Sequence, residues 1–283
     1  MPNLTSDPGT AAQTLNRWLD ESDRVLIGAG AGLSAAAGYD YADTERFAEL
    51  FPAMLPLGFR ARYELIGRPL PPALLWGYWF THVADIRYST GPNELYQRLR
   101  AIVGDRDHSV TTSNVDALFA RNGFDTTRIF TPQGDYGRMQ CTTPCTRQTW
   151  DTRPFLERAL HSYDPATGTI SEPEAIPACP NCGGTMFLNV HADASYIADP
   201  YLPAGRAVEH WLGQAPDDRL LVLDIGSGYN TPSVVRWPME HITHALPGAR
   251  LLRVNPEHPE VHRRIADKSL SFAGNITDLL EHT

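Results

Sequence analysis

The sequence has no apolar run that approaches the roughly twenty residues a helix needs to cross a membrane. Its beginning, MPNLTSDPGT, lacks the basic and then apolar pattern of a secretory signal peptide. Acidic residues outnumber basic ones by 33 to 24, and a net charge of −9 leaves no basic excess for a nucleic acid or an anionic membrane. These absences argue against both kinds of partner and predict a cytoplasmic protein.

Cysteine is scarce, with four residues in 283. Cys141 pairs locally with Cys145, and Cys179 with Cys182, a spacing that in a cytosolic chain indicates metal binding rather than disulfides. The two pairs suit a tetrahedral zinc site made of four cysteines. We expect a structural zinc ion that contributes on the order of 10 kcal/mol or more to folding. Four unrelated buried thiols are the alternative interpretation.

The composition, with 42% hydrophobic and 20% charged residues, is typical of a globular protein with a full core. Short apolar segments alternate with helical patterns, which predicts an α/β fold with a Rossmann-like, six-stranded, doubly wound parallel sheet. The first twelve residues are predicted to be a frayed lead. The six predicted strands are Val25–Ile27, Val110 with the threonines after it, Arg128–Pro132, Leu220–Ile225, Arg250–Val254 and Leu270–Phe272.

The first predicted strand runs into glycines at positions 28, 30 and 32 and then into small residues with good helix propensity. Without Cβ atoms at such a turn, a pyrophosphate can approach the backbone and the N–H groups of the following helix. The stretch therefore predicts a phosphate cradle for a dinucleotide. Leu33 stands where the third glycine of the usual G-x-G-x-x-G pattern belongs, so a tight turn without a ligand is the alternative.

Polar residues gather where the predicted strands end. Open parallel sheets bind ligands at the carboxyl ends of their strands, so this distribution favours the dinucleotide site over a simple turn. The clusters are residues 28–34, Ser113–Asp116, Gln133–Asp135, Gly226–Gly228, and Asn255 with Glu257.

The predicted domains follow from composition. Residues 45–89 are helical and aromatic, and we interpret Trp76 to Phe80 as core packing rather than as a platform for a base. Periodicity collapses over 138–190, which contains all four cysteines. We therefore predict a Rossmann-like dinucleotide-binding domain of residues 1–44, 90–137 and 191–283, a helical insertion of 45–89, and a zinc-binding small domain of 138–190 that forms a zinc ribbon.

From about residue 14 to its end, the chain resembles the sirtuins, the Sir2 family. Gly28 to Ser34 resembles the family's glycine motif, and Asn114-Val115-Asp116 its N-[IV]-D motif. Gly226-Ser227 is similar to the Gly-Thr-Ser motif, and Asn255-Pro256-Glu257 to the ribose-binding segment. The resemblance implies an enzyme that breaks the bond between nicotinamide and ribose in NAD.

The chain departs from the family pattern in three places. Tyr39-Asp40-Tyr41 replaces a Pro-Asp-Phe-Arg segment, Ser113 replaces a glutamine, and Gln133 stands where the family carries its general-base histidine. In these features the chain is most similar to the class M sirtuins, which are associated with macrodomain proteins and act as protein ADP-ribosyltransferases. The resemblance also implies a protein substrate, with lipoylated carrier proteins as a candidate.

The resemblance assigns site residues. Catalytic roles fall on Asn114, Asp116 and Gln133, and metal binding falls on the four cysteines. Contacts with NAD are expected from Gly28, Ala29, Gly30, Ala31, Gly32, Ser34, Tyr39, Asp40, Ser113, Gly226, Ser227, Asn255, Glu257 and Asn275.

A glutamine amide can orient a hydroxyl but cannot accept its proton near pH 7. Because sirtuin deacylation needs that proton transfer, the sequence favours transfer of ADP-ribose to a protein side chain. One alternative is an NAD-dependent deacylase with a substitute base, for which His108 and His191 are candidates. A second alternative is a non-catalytic NAD or ADP-ribose sensor.

Overall fold

The computed structural model describes residues 3–89, 91–214 and 218–283, which divide into two compact units. Unit 1 contains the residues up to Gly38 together with Pro92–Gln133 and Tyr201–Thr283, and unit 2 contains Tyr39–Gly91 and Gly134–Pro200. The helical residues 45–89 and the cysteine-bearing residues 138–190 both lie in unit 2. Positions 1, 2, 90 and 215–217 of the predicted domains lie outside the described residues.

The strands form three sheets. In chain order they are β1 (Asn3–Thr5), β2 (Arg24–Ala29), β3 (Asp107–Thr112), β4 (Ile129–Phe130), β5 (Gly134–Cys141), β6 (Trp150–Asp151), β7 (Tyr163–Asp164), β8 (Thr169–Ile170), β9 (Met186–Val190), β10 (Leu220–Ile225), β11 (Arg250–Val254) and β12 (Ser269–Phe272).

The α-helices connect these strands. They are α1 (Pro8–Glu21), α2 (Ala31–Ala36), α3 (Thr44–Leu50), α4 (Pro72–Tyr88), α5 (Glu94–Val103), α6 (Leu118–Arg121), α7 (Arg153–His161), α8 (Leu202–Gln214), α9 (Arg236–Ala245) and α10 (Ile276–Leu280). Among the described helices, none combines the length and apolar character that a membrane crossing requires.

Unit 1 is built on a seven-stranded sheet with the order β1-β12-β11-β10-β2-β3-β4, in which every pair is parallel. This confirms the predicted α/β fold, but the predicted number of six strands is wrong by one. The extra strand is β1, which lies within the predicted frayed lead and pairs with β12. Three residues at a sheet edge are too short to show the alternation by which a strand is recognised in a sequence.

Both faces of this sheet are covered. Leu26 packs on one face with Met239 of α9, in a cluster that Trp211 of α8 also contacts. Val25 and Ile27 point to the opposite face because side chains alternate along a strand, and both are fully buried. The sheet is therefore doubly wound, and its strands read as nearly continuous apolar runs for that reason.

Side-chain caps set the helix ends in unit 1. Asp7 accepts a hydrogen bond from the backbone N–H of Thr10, so α1 begins at Pro8, within the segment predicted to be a frayed lead. Asn93 caps α5 by accepting from Tyr96 N, so that helix begins at Glu94. An N-cap residue stays outside the helix, so each cap fixes the first helical residue.

Unit 2 contains a three-stranded antiparallel sheet, β6-β5-β9, and the small β7-β8 hairpin. The aromatic residues of α4 are buried, and the rings of Trp76 and Trp79 contact that of Phe187 on β9. A Cβ on Gly77 would lie 2.0 Å from the carbonyl oxygen of Gly168, so the glycine lets α4 pack directly against the hairpin. The aromatic stretch is core packing, as interpreted from the sequence.

Candidate functional site

The glycine turn after β2 packs backbone against backbone in unit 1. Gly32 donates its N–H to the carbonyl oxygen of Gly226, which follows β10, at 3.1 Å. A Cβ on Gly30 would lie 2.5 Å from that oxygen, and a Cβ on Gly32 would lie 2.7 Å from Gly226 Cα. Gly226 itself has a φ of 65°. The turn thus packs tightly against Gly226 at the carboxyl edge of the sheet, while Ala31 and Gly32 are exposed there and leave room for a pyrophosphate.

The remaining residues of the turn have distinct surroundings. Gly28 lies within β2 against Met239, where a Cβ would be 2.6 Å from Met239 Cγ, and Ala29 is buried at the end of the strand. Ala31 begins α2. Leu33, which replaces the third glycine of the usual pattern, is fully buried and packs into the core.

Asn114 is fixed to the glycine turn. Its Nδ2 donates to the carbonyl oxygen of Gly30 at 3.0 Å, and its backbone N–H donates to Thr112 Oγ1 at 3.0 Å. Thr112 Oγ1 in turn donates to the carbonyl oxygen of Ala29. The asparagine is 8% exposed, so its Oδ1 lies in a nearly dry position at the strand ends.

Asp116 lies in the same loop and links two helices. Its Oδ2 accepts a hydrogen bond from Ser34 Oγ of α2 at 2.5 Å, and its Oδ1 accepts from Leu118 N at 2.8 Å. The hydrogen bond that the carboxylate accepts from Leu118 fixes the turn that leads into α6, which begins at Leu118. Ala117 between them has a φ of 56°. Ser34, Asn114 and Asp116 are therefore brought together with the glycine turn.

Gln133 and Ser113 belong to the same edge. Ser113 N donates to the carbonyl oxygen of Ala29 at 3.1 Å. Gln133 follows β4 by three residues, and β4 pairs in parallel with β3 through Val110 with Ile129. Because parallel neighbours end at the same edge, Gln133 lies in the loop next to the one that holds Asn114. Its side chain is half-buried.

The loops after β10 and β11 complete this edge. Asn255 Nδ2 donates to the carbonyl oxygen of Ser227 at 3.0 Å, while its Oδ1 accepts from the backbone N–H groups of Glu257 and His258. Ser227 is 3% exposed, and its Oγ has no hydrogen-bond partner among the described residues. A buried hydroxyl without a partner costs stability unless a ligand satisfies it, so Ser227 fits the cofactor contact predicted for it.

The sequence missed a buried ion network beneath these loops. Asp224 and Arg253 face each other in register on β10 and β11, and both are fully buried. Arg253 also donates to Glu240 at 2.6 Å. Although burial alone lowers the pKa of Arg253, the charges of Asp224 and Glu240 outweigh it and raise that pKa. The available signal was a charged residue in the interior of each of two apolar strands, Asp224 in β10 and Arg253 in β11.

The four cysteines converge in unit 2. Their sulfur atoms lie within 4.8 Å of one another, with Cys141 and Cys182 3.8 Å apart and Cys145 and Cys179 3.6 Å apart. Zinc–sulfur bonds of about 2.3 Å in a tetrahedron place neighbouring sulfur atoms about 3.8 Å apart. These separations are far too long for disulfides, whose sulfur atoms lie about 2.05 Å apart. The cluster therefore fits a tetrahedral zinc ion, and the interpretation as unrelated thiols is not supported.

Backbone groups prepare this cluster for a cation. Gly183, with a φ of 72°, turns the chain so that Gly184 N donates to Cys182 Sγ at 3.4 Å. Burial raises the pKa of Cys179, but N–H groups of Cys182 and Asn181 oppose it, and the pKa is lowered to about 7. The N–H of Gly184 lowers the pKa of Cys182, but the neighbouring thiols outweigh it and raise that pKa. A thiolate is the form that binds zinc, so the backbone N–H groups favour the metal.

Comparison with known proteins supplies relatives for the whole chain, although no protein-family model matches it. A probable bifunctional ADP-ribose hydrolase/ADP-ribosyltransferase of Fusarium oxysporum f. sp. cubense is 34% identical over 260 residues, which are 89% of this chain and 43% of that protein. A protein ADP-ribosyltransferase of Staphylococcus aureus is 28% identical, with 99% and 89% covered. An NAD-dependent protein deacylase of Ralstonia nicotianae is 24% identical, with 94% of each chain covered. The chain thus spans less than half of the first relative.

Solved structures match the architecture over nearly the full length. A Sir2 homologue in complex with NAD is similar with a TM-score of 0.58 and 18% identity, covering 100% of this chain and 95% of that one. A Sir2 homologue in complex with ADP-ribose gives a TM-score of 0.59 and 16% identity, with 95% of each chain covered. The chain has the sirtuin fold. The predicted resemblance is confirmed at this level.

Three further residues predicted to contact NAD have other described contacts. In unit 2, Tyr39 OH lies 2.8 Å from Ser89 Oγ, and Asp40 accepts from Ala42 N at 2.8 Å. In unit 1, Asn275 is exposed at the N-cap of α10, where its carbonyl accepts from Leu279 N. Their cofactor contacts stay predictions.

The two histidines considered as substitute bases have different positions in the sirtuin fold. His108 is the second residue of β3 and lies at the amino end of the strand, opposite the edge that carries Asn114. Its Nδ1 is hydrogen-bonded to the carbonyl oxygen of Arg106, so this residue cannot replace a base at the carboxyl edge. His191 lies in unit 2, exposed after β9, with its ring against Tyr196.

A third histidine was missed because it is one of many residues on an aromatic helix. His82 of α4 is fully buried and lies 3.3 Å from Tyr136 OH and 3.5 Å from Arg62 Nη1. Burial, assisted by the charge of Arg62, lowers its pKa well below the usual value. The imidazole is therefore neutral near pH 7 and is a fixed part of the unit 2 core.

Proposed function

We propose that this protein is an NAD-dependent protein ADP-ribosyltransferase of sirtuin type, similar to the class M sirtuins, and that it acts in the cytoplasm. The observation that carries the proposal is Gln133, which occupies the loop beside Asn114 and Asp116 where sirtuin deacylation requires a histidine. The relatives from Fusarium and Staphylococcus, whose names include ADP-ribosyltransferase, support it.

The unit 1 edge has the parts that a dinucleotide needs. The turn would take the pyrophosphate at Ala31 and Gly32, which are exposed and carry little or no side chain to keep a phosphate away from the backbone. Ser227 would donate its unpartnered hydroxyl to the adenosine half. Asn255 shapes the neighbouring loop with three hydrogen bonds and leaves Glu257 at its tip for the ribose.

Asn114 and Asp116 would act on the scissile half. With Nδ2 committed to Gly30, the Oδ1 of Asn114 can hold the nicotinamide ribose in one orientation. The carbon–nitrogen bond breaks, nicotinamide leaves with the electron pair, and the sugar develops positive charge. The buried carboxylate of Asp116 stabilises that charge. A side chain of the acceptor protein would then bond to the sugar carbon and release its proton to water.

Gln133 directs the outcome. Attack by an acceptor side chain needs no base at position 133 if the acceptor itself gives up its proton readily. Deacylation instead requires a ribose hydroxyl to be deprotonated, and the amide cannot do this. Loss of a general base costs about 10² to 10⁴ in the affected step, so transfer outpaces deacylation. By resemblance, lipoylated carrier proteins are the candidate acceptors.

The direct test is the intact mass of candidate acceptor proteins, with and without acyl-lysine, after incubation with this protein and NAD. Transfer adds the mass of ADP-ribose, whereas deacylation removes the mass of the acyl group. We expect the gain, accompanied by free nicotinamide. Rapid acyl loss with no gain in mass would overturn the proposal and favour the deacylase, the function in the name of the Ralstonia relative.

Substitution of Gln133 by histidine is expected to raise deacylation of an acyl-lysine peptide by about 10²-fold, because it supplies the missing proton acceptor. The rise should follow the titration of an imidazole, increasing with pH through about 6.5. Gln133→Asn is the matched control, since it keeps an amide and should gain nothing. An equal rate in Gln133→His and wild-type protein would mean that the base is not what limits deacylation.

Substitution of Gly32 by alanine is expected to weaken ADP-ribose binding about tenfold. The added Cβ must displace the Gly226 backbone that lies 2.7 Å away, and such overpacking also costs about 1–3 kcal/mol of stability. Calorimetric titration with ADP-ribose and thermal melting measure the two effects. Gly213→Ala on α8 is the control, since its Cβ meets nothing within 4 Å. An unchanged affinity for ADP-ribose in Gly32→Ala would show that the phosphate does not bind at this turn.

A further inference from the structure

Arg236, the first residue of α9, is a buried arginine that contacts mostly backbone. Only 1% of its surface is exposed. It forms an ion pair with Glu260, a carboxylate whose side chain is 52% exposed and therefore well screened. Burying a guanidinium lowers the stability of the fold unless its N–H groups have hydrogen-bond acceptors. The groups that Arg236 binds therefore indicate its role.

Those groups belong to two separate loops. Arg236 Nη1 donates to the carbonyl oxygens of Ser227, at 3.0 Å, and His258, at 2.9 Å. Its Nη2 donates to the carbonyl oxygen of Glu260 at 2.6 Å and to Glu260 Oε1 at 3.0 Å. One planar group thus connects the loop after β10 with the loop after β11.

The loops also close over the guanidinium from the surface side. The ring of Tyr229 lies 4.4 Å from the central carbon of Arg236, and Tyr229 OH donates to Glu260 Oε1 at 2.6 Å. The His258 ring packs edge-on against the Tyr229 ring at 5.1 Å. Tyr229 is nevertheless 50% exposed, so it can be altered without opening the core.

The hydrogen bonds of Arg236 fix the backbone of Ser227. Its carbonyl oxygen accepts from both Arg236 and Asn255, so its backbone is held from two sides while its hydroxyl is left unpartnered among the described residues. Glu257 follows in the second loop, one residue before the carbonyl that Arg236 binds. The arginine therefore fixes the spacing between two residues proposed to contact the adenosine half of NAD.

We propose that Arg236 is a positioning residue that locks these two loops into one preformed ADP-ribose site. The inference rests on the proposed function. Preformed loops spare the ligand the cost of ordering them, so the contribution of Arg236 is to affinity and not to bond breaking. A lysine keeps the charge but, as a compact ammonium on a flexible stem, cannot span four acceptors in one plane.

The test is Arg236→Lys, with ADP-ribose titrated by calorimetry and nicotinamide release measured against NAD concentration. We expect the Kd for ADP-ribose and the KM for NAD to rise about tenfold, while kcat at saturating NAD stays within about twofold. A purely structural role would lower the melting temperature and the active fraction without this separation of KM from kcat.

Arg24→Lys is the matched control. Arg24 is also a buried arginine of unit 1, 6% exposed, but it lies at the amino end of β2 over the Trp211 ring. We expect this variant to lose stability and keep its affinity. If Arg236→Lys does not fold, the double variant Tyr229→Phe with Glu260→Gln weakens the same lock from the surface, and a rise in Kd of about threefold is expected.

The role of Arg236 and the proposed function fail in different ways. Wild-type protein that neither binds ADP-ribose nor releases nicotinamide contradicts the proposed function itself. Wild-type protein that does both, together with a folded Arg236→Lys variant of unchanged Kd and KM, overturns the role of Arg236 alone. A fall in kcat at unchanged KM overturns it as well, because the residue would then act on the reaction step.

Discussion

Alanine at position 114 is expected to lower nicotinamide release from NAD by about 10² to 10³-fold. The truncation removes the amide that is anchored to Gly30 and with it the Oδ1 proposed to orient the nicotinamide ribose. It also leaves the carbonyl oxygen of Gly30 without this donor in a nearly dry loop. Release measured by chromatography at saturating NAD reports the loss directly.

Asn122→Ala is the control for this variant. Asn122 is 7% exposed in the same unit, and its Nδ2 likewise donates to a backbone carbonyl, that of Leu118. The two variants should lose similar stability, yet only Asn114→Ala should lose nicotinamide release while still binding ADP-ribose within a few-fold. If wild-type protein binds NAD and releases nothing, the protein is a sensor and the distinction between the variants disappears.

Removal of zinc is expected to unfold much of unit 2, a loss on the order of 10 kcal/mol. Two cysteines lie at and after the end of β5, and the other two lie in the turn before β9. Without the metal, these two segments lose the ion that joins them at this end of the antiparallel β5–β9 pair. Limited proteolysis of the full chain, with and without a zinc-stripping chelator, should show new cleavage within residues 134–200. Elemental analysis should find one zinc per chain.

A graded variant tests the same site without destroying it. Asn181 donates from Nδ2 to Cys145 Sγ at 3.3 Å, so Asn181→Ala should weaken zinc binding about 10-fold or more and leave the apo and holo folds unchanged. Cys179→Ser should instead mimic the chelator. A metal-free chain that resists the protease as well as the holo chain does would show that the thiols are not a structural metal site.

The sequence alone predicted those parts of the site that are marked by a short pattern of neighbouring residues. The glycine turn and the cysteine pairs are recognisable by spacing, and the apolar runs of β2, β10 and β11 indicate a buried parallel sheet. The departure at Gln133 is likewise visible at a single position. Each of these signals depends on neighbours along the chain and none on a partner far away.

The features that the sequence did not reveal depend on register and on tertiary partners. The pairing of Asp224 with Arg253 exists only because β10 and β11 align at those residues. Arg236 owes its role to carbonyls of two loops, which neither composition nor periodicity reveals. The edge strand β1 was missed because its pairing partner, β12, lies at the other end of the chain.

The position of β2 in the sheet constrains how the protein is made. β2 lies between β3 and β10, yet residues 24–29 leave the ribosome nearly two hundred residues before 220–225 do. For most of translation, one edge of this central apolar strand therefore lacks its hydrogen-bonding neighbour, and such an edge can pair with another nascent chain. Completion of the unit 1 sheet must therefore wait for the last quarter of the chain, which supplies β10, β11 and β12.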